Sequence, residues 1–469
     1  MSKKKKNIIL ENIKLISAGA KGVAVGKTEE GKTVLVTGAV PGDVVNARVK
    51  KAKSKYYEAE VLEVIEKSPY RVEPKCIHFG VCGGCKWQNL SYEKQLDFKQ
   101  EEVYNNIKRI GGIENFETLP ILGSEEQYFY RNKMEFSFSN ARWLTQYEIS
   151  SEENFGNKDA LGFHIPGMWS KILDLKECFL QEEPSNEIRL AVRDYAIKNG
   201  LDFYDVKNQE GFLRTLMLRQ NSKGEWMVLF QLYREEKENR ENLFNFVLEK
   251  FPQVKTLVYA INPKGNDSIY DLDIQNYYGE GFLMEEMDGL QFKIGPKSFF
   301  QTNYKQALEL YRKTIEFAEI SENDVVYDLY TGTGTIAQYI AKKAKYVIGI
   351  ESVQEAIDAA IEHAKLNGLE NCEFHCGDMK DVFTEEFLAN HPKADVLITD
   401  PPRDGMHQKV VEQILKLSPP KIVYVSCNSA TQARDLALMK EHYNVVKILP
   451  VDMFPQTHHV ENIALLVKK

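Results

Sequence analysis

Asp400-Pro401-Pro402-Arg403 and Val425-Ser426-Cys427-Asn428 put a carboxylate on a rigid turn and a lone thiol after two apolar runs, with Cys427 lying 27 residues beyond Asp400. The runs, Ala394 to Thr399 and Lys421 to Val425, read as buried strands, and open parallel sheets gather ligands beyond the carboxyl ends of their strands. Both motifs therefore face one crevice. A thiol beside a carboxylate points to covalent chemistry on a planar ring. Many enzymes that methylate amines carry an aromatic residue after Asp-Pro-Pro or Asn-Pro-Pro, where it packs on the target; Arg403 stands there instead. The target need not be nitrogen. A thiolate can add to C6 of a uracil, which makes the otherwise weakly nucleophilic C5 able to take a methyl group from a sulfonium.

A donor for that group is written further upstream. Val325 to Tyr330 runs into Thr331-Gly332-Thr333-Gly334-Thr335, where glycines let the chain turn sharply beneath a ligand before a helix begins. The next strand, Tyr346 to Ile350, ends in Glu351, placed to accept hydrogen bonds from ribose hydroxyls. This combination indicates an adenosine-containing cofactor. Gly332-x-Gly334-x-x-Ala337 also satisfies the relaxed dinucleotide fingerprint, so a nicotinamide oxidoreductase stays open. Asp378 in Cys376-Gly377-Asp378 and the Asp400 turn, at two further strand ends, favour S-adenosylmethionine.

Seven cysteines without an export signal argue for metal binding or catalysis rather than disulfides. Cys76, Cys82 and Cys85 form a cluster and Cys178 offers a fourth thiolate, a set that fits zinc or iron-sulfur. Cys372 and Cys376 read as packing residues on a strand.

The chain of 469 residues, 43% hydrophobic and 27% charged, has material for two or three cores and no segment of membrane-spanning length, so a cytoplasmic protein is expected. The net charge of -8 is unevenly spread: residues 1 to 67 hold 14 Lys/Arg against 8 Asp/Glu, leaving -14 for the remainder. A basic appendage that finds a polyanion for an acidic body fits this asymmetry, although the Lys3 to Lys6 run alone is equally a solvated tail. From Ile8 to Ile65, short alternating runs broken by glycines and by Pro41-Gly42-Asp43 have the spacing of a small barrel. Gly38 to Val45, followed by Lys50, Lys51, Lys53 and Lys55, resembles a TRAM domain, an OB-like module of RNA-modifying enzymes. Ser91 to Ile110 reads as a helix with Leu96, Val103, Ile107 and Ile110 on one face. The stretch 115 to 285 is β-rich, with a hairpin turning at Asn221-Ser222-Lys223, and strands alternate with helices after Gly295.

Taken with Ser298 to Asn303 and His459-Val460-Glu461-Asn462, these motifs resemble, over essentially the whole chain, the RNA m5U methyltransferase family, and within it the bacterial 23S rRNA uracil-C5 methyltransferases. The resemblance implies a multidomain α/β protein: a TRAM barrel over 1–67, a β-rich central domain with an iron-sulfur site over 68–285, its helical segment 91–112 packing on the catalytic domain, and a Rossmann-like class I methyltransferase domain over 286–469. It implies Cys427 as nucleophile, Glu461 as the base for the C5 proton, Asp400 orienting the uracil edge, and Phe299 stacking on a flipped base. Gln301, Tyr330, Thr335, Glu351, Asp378 and Asp400 would line the S-adenosylmethionine site. Thr335 falls where close relatives have Asn. Cys76, Cys82, Cys85 and Cys178 would hold a [4Fe-4S] cluster; radical methylthiotransferases, which also join TRAM to a cluster, space their cysteines Cys-x3-Cys-x2-Cys, unlike the five-residue gap after Cys76. RNA is the implied partner, 23S rRNA before tRNA because of the TRAM-like start, with no membrane, no obligate protein partner and a monomeric state. Outside this class stand a non-catalytic RNA-binding protein and an NAD-dependent oxidoreductase.

Overall fold

The computed structural model describes residues 8–144, 146–151 and 158–469; Lys3 to Lys6 lie outside them. The chain divides into two compact units, one of residues 1–80, 84–127 and 400–469, the other of residues 81–83 and 128–399.

The first unit opens with a closed five-stranded barrel of Ile9–Ala18, Ala24–Lys27, Thr33–Thr37, Val44–Ala52 and Tyr56–Glu66. Alternation makes it: along Thr33–Thr37, Val34 and Val36 point inward and join Leu15, Val45 and Ala47 in a solvent-free core. Gly26 faces the Lys14 carbonyl so closely that a Cβ would sit 2.7 Å from it, so a side chain would push two barrel strands apart. At the Pro41-Gly42-Asp43 turn, Gly42 takes φ +94° and buried Asp43 accepts the Val40 and Ser68 amides and both arms of Arg71 (2.8 and 2.7 Å), which ties the barrel to the segment leaving it. The expected basic face is partly self-neutralised, because Lys50 pairs with Glu60 at 2.8 Å and Lys51 with Glu58 at 3.2 Å.

The same unit contains the strands Lys421–Ser426, Tyr443–Val451 and Glu461–Lys468, the last pairing antiparallel with both others, and the helices Gln408–Leu417 and Ser429–Met439. The helix Tyr92–Arg109 packs here by the expected Val103 and Ile107, joined by Gln95 and Lys99. Gln95, Lys99, Val103 and Ile107 are buried, whereas Ile110 is exposed. Lys99 has no solvent access and pairs at 2.6 Å with equally buried Asp452, also reaching the Phe454 carbonyl at 3.2 Å. Tyr92 donates to Asp452 (2.9 Å), and Gln95 and Gln456 exchange side-chain and backbone hydrogen bonds at 3.0 Å. Polar groups dominate this face because each finds a partner in the loop 452–457.

The second unit contains a seven-stranded sheet in the order Gln275–Tyr278, Val254–Ile261, Trp226–Leu232, Leu213–Gln220, Lys133–Ser139, Ala160–Ile165, Met168–Asp174. The expected hairpin joins Leu213–Gln220 to Trp226–Leu232, with Gln220 opposite Trp226. Four parallel strands follow in the spatial order Cys372–Cys376, Tyr346–Glu351, Val325–Leu329, Val396–Thr399, interleaved with helices that include Thr335–Ala341 and Gln354–Leu366. No helix among the described residues is long and apolar enough to cross a membrane.

Removing one partner of a solvent-free ion pair strands the other charge, which costs about 3–5 kcal/mol. Lys99→Met should therefore lower the urea midpoint of this unit strongly, and Lys99→Met with Asp452→Leu should recover part of the loss. A single variant that unfolds at the wild-type midpoint would show that the pair holds nothing.

Candidate active site

Cys427 follows the last residue of the strand Lys421–Ser426 and precedes Asn428, whose side chain caps the helix Ser429–Met439 by accepting the Ala430 amide at 3.1 Å. Ser426 Oγ accepts the Asn428 amide at 3.1 Å, closing a tight turn around the thiol. Because Ser426 lies opposite Asn462 in an antiparallel pair, Glu461 comes level with Cys427 one step further. Gln432 locks that register, donating to the Tyr424 carbonyl (2.8 Å) and accepting from Asn462 (2.8 Å).

The loop after Asp400 is fastened to the same helix. Asn428 and Thr431 donate to the Arg403 carbonyl at 2.9 and 3.0 Å, Arg434 donates to the Asp404 carbonyl at 2.9 Å, and the Met406 amide donates to buried Asp435 at 2.8 Å. Gly405 takes φ +77° here, and a Cβ would meet Arg434 and Asp435 atoms at 2.6 Å, so only glycine lets the loop lie this close. The two motifs expected to share a crevice are thus tied by direct hydrogen bonds.

Asp400, Arg403, Cys427 and Glu461 interact electrostatically. Burial pushes the Glu461 carboxyl up to about 8; Asp400 adds to this, and Arg403 opposes it. Burial likewise pushes the Cys427 thiol up to about 11, with Glu461 and Asp400 raising it and Arg403 lowering it through charge and a hydrogen bond. Burial thus favours the protonated form of both groups, and Arg403 opposes it at each.

The second unit carries the other residues. Beyond Val325–Leu329, Tyr330 (φ 63°), Gly332 (φ 55°) and Gly334 (φ 75°) are left-handed. Gly334 packs against Ala360, whereas a Cβ on Gly332 would meet nothing within 4 Å, leaving room above the loop. Thr335, first in the helix Thr335–Ala341, is buried near the Thr333 hydroxyl. Glu351 already spans the loop: one oxygen accepts the Gly332 amide (3.1 Å), the other the Ser352 and Val353 amides (2.7 and 3.1 Å). Asp378 caps the turn Met379–Val382 and pairs with Lys380. The Gln301 carbonyl accepts from Asn132 at 3.0 Å. Phe299 is 69% exposed, while its neighbour Phe300 is buried near Phe292.

Two residues escaped the sequence reading. Asp328 is fully buried, accepts the Thr331 hydroxyl at 2.6 Å and is pushed up to about 7 by burial; its signal was a charge inside an apolar strand. His363 is buried on the helix Gln354–Leu366, 3.2 Å from the Thr333 carbonyl, and accepts the Lys293 amide at 3.0 Å. No local pattern marks it.

Of the four clustered cysteines, Cys76 and Cys85 belong to the first unit and Cys82 and Cys178 to the second, and all four are partly exposed. Gln88 accepts the Cys76 amide (3.0 Å), and Asn186 holds both the amide and carbonyl of Cys178 (2.8 and 3.1 Å). Cys372 lies on its strand with its thiol pushed up to about 12 by burial, whereas Cys376 is exposed rather than packed.

Residues 272–469 match the tRNA (Uracil-5-)-methyltransferase family and residues 15–62 the TRAM domain. An "uncharacterized RNA methyltransferase" of Bacteroides thetaiotaomicron is 50% identical over 95% of this chain and 99% of its own length, and another of Porphyromonas gingivalis is 48% identical over 97% and 99%. Among solved structures, the Pyrococcus abyssi tRNA (uracil-54, C5)-methyltransferase in complex with S-adenosyl-L-homocysteine is similar with a TM-score of 0.74 and 29% identity, covering 97% of this chain and 99% of that one. With its TRAM barrel, its methyltransferase fold and relatives matched from end to end, the chain belongs to the S-adenosylmethionine-dependent RNA uracil-5 methyltransferase family.

Proposed function

We propose that this enzyme makes 5-methyluridine in 23S rRNA through a covalent adduct between Cys427 and C6 of the target uracil. The observation that carries the chemistry is the set of Cys427, Glu461, Asp400 and Arg403, a thiol held beside a raised carboxyl group and a cation. S-adenosylmethionine, when bound, supplies an electrophilic methyl group. Gln301, Tyr330, Thr335, Glu351, Asp378 and Asp400 are assigned to its site. Cys427 sulfur bonds to C6 as its proton passes to water, leaving Glu461 free, and electron density moves through C5 toward the ring carbonyl, where Arg403 favours negative charge. After C5 has taken the methyl group, Glu461 removes the C5 proton, the C5=C6 bond re-forms, and the sulfur leaves. Asp400 accepts from the uracil N3-H, which selects the ring edge. Phe299 offers an open ring on which a flipped base stacks.

Cys76, Cys82, Cys85 and Cys178 would hold the [4Fe-4S] cluster in a structural or RNA-positioning role, because methyl transfer by addition and elimination needs no electron. The domains are assigned as TRAM 1–67, central 68–285 and catalytic 286–469, in a cytoplasmic monomer. Resemblance to the 23S rRNA branch supports rRNA as substrate. The solved tRNA enzyme supports tRNA as a second reading, and because its match covers 97% of this chain, barrel region included, the barrel does not separate the two. Mapping 5-methyluridine in cells lacking the protein decides: loss from 23S rRNA is expected, and loss from tRNA alone would move the assignment to tRNA.

RNA containing 5-fluorouridine should trap wild-type enzyme in an adduct that survives denaturation, since fluorine cannot leave as a proton; an adduct formed equally by Cys427→Ala would remove Cys427 from its role. Glu461→Gln should accumulate the methylated adduct, and prompt product release by that variant would exclude Glu461 as the base. A raised carboxyl pKa means the folded chain holds an extra proton between about pH 4.5 and 8, so folding stability falls as pH rises across that window. Glu461→Gln should therefore raise the melting temperature at pH 9 by more than at pH 5. Anaerobically purified protein should be brown and contain about four irons per chain; a colourless protein with stoichiometric zinc at these cysteines would refute the cluster.

A further inference from the structure

A second constellation lies in the second unit, on residues used nowhere above. Glu373 and His375 sit two apart on the strand Cys372–Cys376, so their side chains share one face, and His391 caps the C-terminal end of the helix Glu385–Asn390. One ligand atom from each lies within 4.8 Å of the others. The three side chains are partly exposed.

Their hydrogen bonds turn electron pairs toward one another. His391 Nδ1 is 2.7 Å from the Phe387 carbonyl, which can only accept, so the proton sits on Nδ1 and Nε2 faces the cluster as a bare donor atom. Glu373 Oε2 accepts the Tyr346 hydroxyl at 2.9 Å, leaving Oε1 turned to the histidines. His375 Nε2 comes within 3.0 Å of that oxygen yet is buried without a hydrogen bond of acceptable geometry. His391 Nε2 is 3.8 Å from the same oxygen. Phe387 stacks on His391 (centroids 4.0 Å apart) and stands edge-on to His375 (4.9 Å), fixing both rings. Two imidazoles and a carboxylate converge, with a backbone carbonyl and a tyrosine hydroxyl orienting two of them, as outer partners of metal ligands do.

We propose that Glu373, His375 and His391 bind a divalent transition metal, with zinc the best match, completed by a water ligand. Zinc takes nitrogen and carboxylate ligands at about 2.0–2.2 Å in a tetrahedral shell, which brings the ligand atoms to about 3.3 Å from one another. The three ligand atoms, within 4.8 Å of one another, would draw in to that spacing on binding. The ion would clamp the strand Cys372–Cys376 to the end of the helix Glu385–Asn390, fastening the intervening arm that begins with Gly377-Asp378. This assignment is independent of the four-cysteine site and of the uracil chemistry.

The test measures zinc bound per chain by full-length protein after dialysis against a weak chelator, in parallel for wild type, Cys76→Ser, His375→Asn and His391→Gln. Wild type and Cys76→Ser should share an equivalent that both histidine variants lose, and zinc should raise the melting temperature of wild type but not of His391→Gln. Tyr346→Phe, which keeps all three ligands, should weaken that equivalent by about tenfold. In a crystal grown with zinc, an anomalous peak should fall among the three side chains. Equal zinc in wild type and both histidine variants overturns the proposal, as does zinc that disappears only with Cys76→Ser.

Discussion

A lysine with no route to water fixes the position of the proposed base. Lys99 and Asp452 form a solvent-free pair at 2.6 Å, and around it Tyr92 and Gln95 add hydrogen bonds to Asp452 and Gln456 of the loop between the strands Tyr443–Val451 and Glu461–Lys468. The Lys86 and Trp87 amides add bonds to the Gln456 carbonyl (2.9 and 3.1 Å). With nine residues separating Val451 from Glu461, this loop could take many shapes; the clamp from the helix Tyr92–Arg109 selects one. Pairing of Ser426 with Asn462 then carries the constraint to Cys427. Burial drives the Lys99 amine toward its neutral form, while Asp452 favours the ammonium, so the clamp holds only because both partners are buried together.

The site itself runs against stability. Burying Glu461 near Asp400 raises its affinity for a proton, and the same burial with the same acids opposes ionisation of Cys427. Neither group gains by this in the folded chain, and both would relax if exposed. Such opposition between packing and charge is what functional sites retain and the surrounding structure offsets. The compensation is close at hand: Asn428, Thr431, Gln432, Arg434 and Asp435, all at one end of a single helix, hold the two motif loops with hydrogen bonds of 2.8–3.1 Å.

Strand positions were legible because each strand is a short apolar run closed by glycine, proline or a charge. Tyr346 to Ile350 was read and Tyr346–Glu351 is observed; Lys421 to Val425 was read and Lys421–Ser426 is observed. The barrel was legible from period-two alternation and its turn residues, and the thiol and Asp-Pro-Pro motifs from their chemistry at strand ends. Ser91 to Ile110 reads as a helix and Tyr92–Arg109 is observed, with Val103 and Ile107 buried as expected; Gln95 and Lys99, buried beside them, look solvated until partners more than 350 residues away are supplied. His363 and the triad of Glu373, His375 and His391 were missed for a related reason. Histidines without local spacing acquire meaning only when the fold brings carbonyls, amides and carboxylates to them.

Arg403 connects the reading of the sequence to the electrostatics of the site. Where amine methyltransferases place an aromatic ring, this chain places a guanidinium, and it lowers the proton affinity of both Cys427 and Glu461 against the effect of burial. An aromatic ring there would leave a thiol and two acids with no cation among the groups that set their ionisation, and the route through a sulfur adduct would begin from a still less acidic thiol. The Arg403 carbonyl receives hydrogen bonds from both Asn428 and Thr431 at the start of the helix behind Cys427, so the backbone that carries the guanidinium is held by the residue next to Cys427. Substituting the ring by a cation thus changes more than the surface offered to a base. It favours the charged forms of Cys427 and Glu461 that the proposed covalent route requires, from a backbone position tied to the turn that carries Cys427.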